Sequence, residues 1–284
     1  MAMGLGVAMW LQTSASLAGS FLGVDAEGFV QAIHFDQVTG APDISKSQSD
    51  SFIAFSTTQP SVNGAVSASI PEASAHVDGI AALGSLSGTT SVSAIGFHSS
   101  PSPSAVSQIQ LIWVDLVTAT SPTLANGTTV DFRVTENLNA AMTSLGLAGN
   151  TLAYSINWDD GIGGSGTLQT NFNNGYNGAV YYSTDLCSGL CSASSSVVIP
   201  VLVGSTLSIT GRMDLGSVAY NLDASAQIDA GHTATMFLDS LTDGASYSTA
   251  SGVTYFTPVP EPSTILLLGF GLIGLAAWRW KHAA

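Results

Sequence analysis

From Phe29 onward apolar side chains recur at every second position, and this period of two constrains the fold more than any other feature. Val66, Ala68 and Ile70 alternate with Ser67 and Ser69. Val130, Phe132 and Val134 alternate with Asp131, Arg133 and Thr135, and Leu152, Tyr154, Ile156 and Trp158 with Thr151, Ser155 and Asn157. A longer alternation runs through Val218, Tyr220, Leu222, Ala224, Ala226 and Ile228. Successive side chains on a strand point to opposite faces, so each segment reads as a strand with one dry and one wet face. Residues 108–117, the most apolar of these runs, read as a central strand. Roughly a dozen short strands separated by turn residues predict an all-β fold, an antiparallel β-sandwich of jelly-roll-like form. Stacked sheets bury the apolar faces and limit exposed edges. One patch breaks the period. Leu138, Ala141, Met142 and Leu145 fall on a 3.6-residue stripe, which predicts a crossover helix of about two turns over residues 137–147, ended by Gly146 or Gly149.

The last 27 residues, 258–284, follow different rules. Alternating prolines at 258, 260 and 262 fix φ and remove backbone donors, so this collar can neither join a sheet nor start a helix early. Ser263 or Thr264 can cap the Leu-rich run that follows. That run is hydrophobic on every face, which suits lipid or a deep core and not a protein surface. Arg279, Trp280 and Lys281 close it, as where a helix leaves the bilayer on its cytoplasmic side. The apolar segment from 263 to 278 makes roughly 24 Å of helix against a hydrocarbon core of ~30 Å. Snorkelling by Arg279 and Lys281 and local thinning cover the shortfall. One C-terminal transmembrane helix is therefore expected, with a buried terminal helix as the alternative.

Pro260-Glu261-Pro262, the apolar segment and the basic end, in that order, resemble the PEP-CTERM sorting signal of exported bacterial proteins. The same tail is also labelled an ice-binding-protein C-terminal domain, a label that says nothing about ice binding. The resemblance implies that Pro260, Glu261 and Pro262 form the motif recognised by a membrane-embedded exosortase, with Arg279 and Lys281 as stop-transfer charges. It implies an inner-membrane-anchored intermediate, then display at the envelope, surface or extracellular matrix of a Gram-negative bacterium that makes exopolysaccharide. The basic end is sparser than the arginine cluster usual in that family. The stretch before the collar, an apolar strand, a Gly244-Ala245-Ser246 turn and Ser251-Gly252-Val253-Thr254-Tyr255 read as a further strand, is similar in composition and order to many ectodomains of this family.

Charge narrows the partners. All but Glu261 of the 19 acidic residues precede residue 258, whereas only Lys46, Arg133 and Arg212 of the five basic ones do. Nucleic acid is excluded as a partner, since its recognition needs a basic footprint. Anionic lipid or polysaccharide would be repelled unless a divalent cation intervened. At the other end, Leu5 to Leu11 are apolar, and Ser16 and Ala18 fit the −3 and −1 positions of a signal-peptidase site, as do Thr13 and Ala15. No Lys or Arg precedes them. Residues 1–18 thus read as a weak signal peptide or as one truncated at an internal methionine, the second reading being favoured over the first, with a plain first strand as the third. Residues 19–257 read as one β-sandwich ectodomain, with the Ser/Pro-rich residues 99–104 as its best internal connector.

Candidate chemistry is sparse. Cys187 and Cys191, the only cysteines, read as a disulfide closing a tight loop in an oxidising compartment. Asp159 and Asp160, in a glycine loop with Asn157 before them, are the calcium candidate, as hard oxygens on a flexible loop suit that ion. Their spacing does not match the EF-hand loop. No other cofactor is expected. His34, His76, His98, His232 and His282 are scattered. His76 and Asp78 share one strand face, the kind of pair a triad uses, but no Gly-x-Ser-x-Gly supplies a nucleophile. The chain is therefore read as a non-enzymatic structural or interaction protein of the cell surface or exopolysaccharide matrix. A lectin-like sandwich using Trp158, Tyr176 and Tyr181 near the Asn/Gly loops is the alternative, and a hydrolase the last.

Overall fold

The computed structural model describes residues 22–34, 43, 46–95, 103–161, 164–175, 185–220 and 223–255. The expectations placed on residues 1–18, on the connector at 99–102, on Tyr176 and Tyr181, and on the whole tail from 258 fall outside them. That includes Pro260, Glu261, Pro262, the predicted transmembrane helix, Arg279 and Lys281. Among the described residues there are 14 strands and no helix, and none long and apolar enough to cross a membrane.

In chain order the strands are β1 (Gly23–Ala32), β2 (Gln48–Ser56), β3 (Ser61–Ile70), β4 (Ala73–Ala82), β5 (Ser85–Ala94), β6 (Pro103–Thr120) and β7 (Thr129–Leu145). Then come β8 (Ala148–Asp159), β9 (Ser165–Gly175), β10 (Asp185–Leu186), β11 (Gly189–Leu202), β12 (Thr206–Tyr220), β13 (Ala224–Ser240) and β14 (Ser246–Thr249). One sheet runs β10-β9-β8-β12-β6-β1-β2, with β14 also pairing β6, and the other runs β11-β7-β13-β5-β4-β3. Every pair is antiparallel except the short β9–β10 pair. The inner faces of the two sheets meet in one continuous apolar core. Residues on both sides of the 99–104 connector contribute strands to both sheets. Strand β6 is central as expected, flanked by β1 and β12, and sends Ile109, Leu111, Trp113 and Val117 inward.

Three local readings are corrected. The stripe at 137–147 is not a helix but the second half of β7 and its exit turn. Leu138 and Met142 satisfy a period of two as well as one near four, and Ala140 lies between them on the same buried face. Strands β11 and β13 flank β7 and take up its backbone groups, so the tertiary ladder overrides the local stripe. Gly146, at φ 66°, supplies the tight exit that residues with a Cβ resist. Second, the alternation from 218 to 228 is not one strand. It splits into β12 and β13, in opposite sheets, around Asp223 at φ 50°. On β12 the odd positions, Met213, Leu215 and Ala219, face the core, and Val218 and Tyr220 do not. Third, residues 251–255 form no strand; they fold as an irregular segment at the end of the sandwich.

Candidate functional site

The described part of the chain ends in a polar lock buried inside the core. Strand β6 places Asp115 on its inner face, in the parity of Leu111, Trp113 and Val117, and the carboxylate is fully buried. Four donors converge on it. The Tyr255 hydroxyl donates to Oδ2 at 2.6 Å, and the Ser251 hydroxyl also donates to Oδ2. The amides of Leu116 and Ser251 donate to Oδ1 at 2.8 and 3.2 Å. A buried carboxylate persists only when paired or richly hydrogen-bonded, and here the donors come chiefly from a segment about 140 residues further along.

The same segment is held through its backbone. The Tyr255 amide donates to the Tyr247 hydroxyl at 2.8 Å, and the Tyr255 carbonyl accepts from the Leu238 amide at 2.7 Å. Its ring stacks on Trp113 with centroids 5.7 Å apart. Gly84, at φ 79° in the β4–β5 turn, lies against that ring so closely that a Cβ would sit 2.6 Å from it. Burial, and then the Asp115 carboxylate beside it, push the Tyr255 phenol far up, so it stays a donor at any physiological pH. Strand β14 lies along the end of β6 just beyond β1, with Thr249 opposite Val117 and Gly23 opposite Val114. The first residues of β1 and the last described residues of the chain therefore meet around Trp113 and Asp115. Sequence reasoning missed this lock. Its one signal was an aspartate in the core-facing parity of the most apolar strand.

Cys187 and Cys191 are joined as expected, with Cα atoms 6.0 Å apart. The bond does more than close a loop. Cys187 follows β10 of one sheet and Cys191 lies on β11 of the other, opposite Ala140 of β7, so it fastens the edge where the chain changes sheets. Asp159 and Asp160 cap a turn: their Oδ1 atoms accept the amides of Gly161 and Gly164, each at 2.8 Å. Among the described residues no three His, Cys, Asp or Glu side chains converge as metal ligands would. Trp158 packs at the margin of the core, over Gly166, and is only partly buried.

His76 and Asp78 do share a face, the outer face of the six-stranded sheet, and Ser67 joins them. Ser67 Oγ lies 2.7 Å from His76 Nδ1, and His76 Nε2 lies 3.2 Å from Asp78 Oδ2, which also accepts from the Thr89 hydroxyl at 2.7 Å. The His76 and Asp78 side chains are 42% and 45% exposed. Ser67 stands opposite His76 in mid-strand register and not on a strained turn. A line of this kind can pass a proton, but acyl transfer also needs preorganised oxyanion donors and a cleft that excludes water. An exposed sheet face supplies neither.

Comparison with known proteins bears on the tail. The family model of the PEP-CTERM protein-sorting motif matches residues 258–281. No curated protein and no solved structure matches the chain. The chain therefore carries a PEP-CTERM sorting motif, beginning three residues after the Tyr255 lock.

Proposed function

We propose, from the sorting motif at residues 258–281, that this protein is a non-enzymatic structural or interaction component of the cell surface or exopolysaccharide matrix. The motif itself supports the coarser statement: an exported protein sorted to the envelope by an exosortase-type enzyme. Two features of the sandwich fit display outside the cell. Its wet faces are covered by hydroxyls and amides with few charges, and its two cysteines are oxidised across a sheet edge. In this reading residues 263–278 cross the inner membrane, Pro260-Glu261-Pro262 face the processing enzyme, and Arg279 and Lys281 stop transfer. An acidic ectodomain would approach an anionic polysaccharide only through a divalent cation; Asp159 and Asp160 stay a weak calcium candidate beside their part in capping the turn.

The test is fractionation of the full chain against a chain ended after Phe256, beside a variant with Glu261 and both flanking prolines replaced by alanine. Retention of the full chain at the envelope, with release of both variants, is expected. Equal retention of all three sinks the reading. One observation bears on hydrolysis, the Ser67–His76–Asp78 line. We propose it as a surface polar ladder. Labelling of Ser67 by a fluorophosphonate, lost in His76→Ala, would reverse that.

A further inference from the structure

The lock at Tyr255 sets a length. Tyr255 is 3% exposed and held through ring, hydroxyl, amide and carbonyl. Only residues 256–259 separate it from Pro260. Five Cα steps of fully extended chain reach about 17 Å. The body attached there is wide by comparison: seven strands side by side, about 4.8 Å apart, span roughly 30 Å, and the sheets stack about 10 Å apart. An enzyme engaging the motif therefore meets the end of the sandwich formed by β14, the end of β6 and the Gly84 turn.

The geometry points to Asp115, with Ser251 and Tyr255, as a gauge that holds the folded ectodomain close to Pro260-Glu261-Pro262 and so limits how readily the processing enzyme reaches the motif. This rests on the sorting reading above. The gauge can open without the sandwich unfolding. The next hold upstream is β14, four residues paired to the end of β6. Releasing residues 250–255 adds six residues, about 20 Å of chain, to the tether. Segments with little regular pairing open at a fraction of the global stability. In this one three hydrogen bonds go to a single carboxylate, beside the Trp113 stack and the backbone bonds to Leu116, Leu238 and Tyr247. Asp115, Ser251 and Tyr255 are thus positioning residues: they act on the motif through the length of free chain.

The experiment follows the pulse-labelled full chain in a bacterium that carries an exosortase-type enzyme, reading the half-time for conversion to the processed form. Six Gly/Ser residues inserted between Thr257 and Pro258 leave the lock intact and are expected to shorten the half-time several-fold. Asp115→Asn, and the milder pair Ser251→Ala with Tyr255→Phe, are expected to shorten it by a similar factor. Adding the insertion to Asp115→Asn should bring nothing further, a non-additivity that mere destabilisation does not produce. A processed wild type whose half-time is unchanged by the insertion overturns the gauge and leaves the sorting reading standing. So does an insertion that speeds processing while both unlocking variants do not. A wild-type chain left unprocessed sinks the sorting reading, and the gauge with it.

Discussion

Two carboxylates lie fully buried in the same core and are treated differently by it. Asp115, on β6, is saturated with donors, most of them from Ser251 and Tyr255. Glu136, on β7, is half served. Its Oε1 accepts the hydroxyls of Thr170 on β9 and Ser195 on β11, each at 2.7 Å, while its Oε2 has no hydrogen-bond partner among the described residues. The Tyr154 hydroxyl from the facing sheet is likewise buried without a partner among the described residues. Burial first, then the Glu136 charge, push that phenol up. A buried charge is held in place by the groups that would be left unpaired without it. Asp115 therefore stitches residues 251–255 into the core, whereas Glu136 ties β9 to β11 and leaves polar atoms over.

The comparison breaks most visibly at Asp115. Asparagine keeps one acceptor but turns an NH2 group toward donors that already point inward. Asp115→Asn is expected to cost about 3 kcal/mol, since hydrogen bonds to a charged group contribute ~1.5–3 kcal/mol each and are not additive here. The denaturant midpoint reads this, with exchange protection lost first over residues 246–255. The second effect falls at the Glu136 end, where Cys191 lies a few residues from Ser195 on β11. Replacing both cysteines by serine removes a loop constraint of four residues' separation, worth about 2 kcal/mol in the chain-entropy account. Protection should fall over β10 and the start of β11 while the Tyr255 lock is unchanged. Equal loss at both ends would mean that the two regions open as one unit.

Glu136 itself is expected to yield a smaller effect of opposite sign. Glu136→Gln keeps the carbonyl that Thr170 and Ser195 use and removes the buried charge. Tyr154→Phe deletes a hydroxyl that pairs with none of the described residues. Each is expected to leave stability unchanged or raise it by up to about 1 kcal/mol, by thermal melting. A loss as large as that at Asp115 would erase the distinction between the two sites.

The contrast also shows what could be read in advance. The sandwich was legible because alternation is a local signal written many times over, in β3, β7 and β8 alike. The end of β7 was not, because Leu138 and Met142 satisfy both periods and only pairing to β11 and β13 decides between them. The tail was legible from three features in order. The lock before it was not, because its donors and its acceptor lie about 140 residues apart and meet only through the packing of β14 on β6. An acidic residue at a core parity position flags a need for partners without naming them.

A third carboxylate gives the smallest and most specific test. Asp25, on the outer face of β1, is half buried, with Oδ1 lacking a hydrogen-bond partner among the described residues. Burial first, then repulsion from Glu27, raise its pKa from 3.8 to about 6. Between those values the folded chain holds a proton that the unfolded chain has released, so this group favours folding at low pH and loses that contribution as pH rises through 6. Because Asp25 is partly solvated, screening keeps the effect small. Asp25→Asn should therefore raise the melting temperature slightly at pH 7, leave it unchanged near pH 4, and flatten the slope between. A variant equally stabilised at both pH values would trace the effect to packing. A variant destabilised at pH 7 would show that the Ala26 amide, the donor that favours the charged form of Asp25, outweighs burial and repulsion, and the contrast between well-served and under-served carboxylates would then not extend to the outer face.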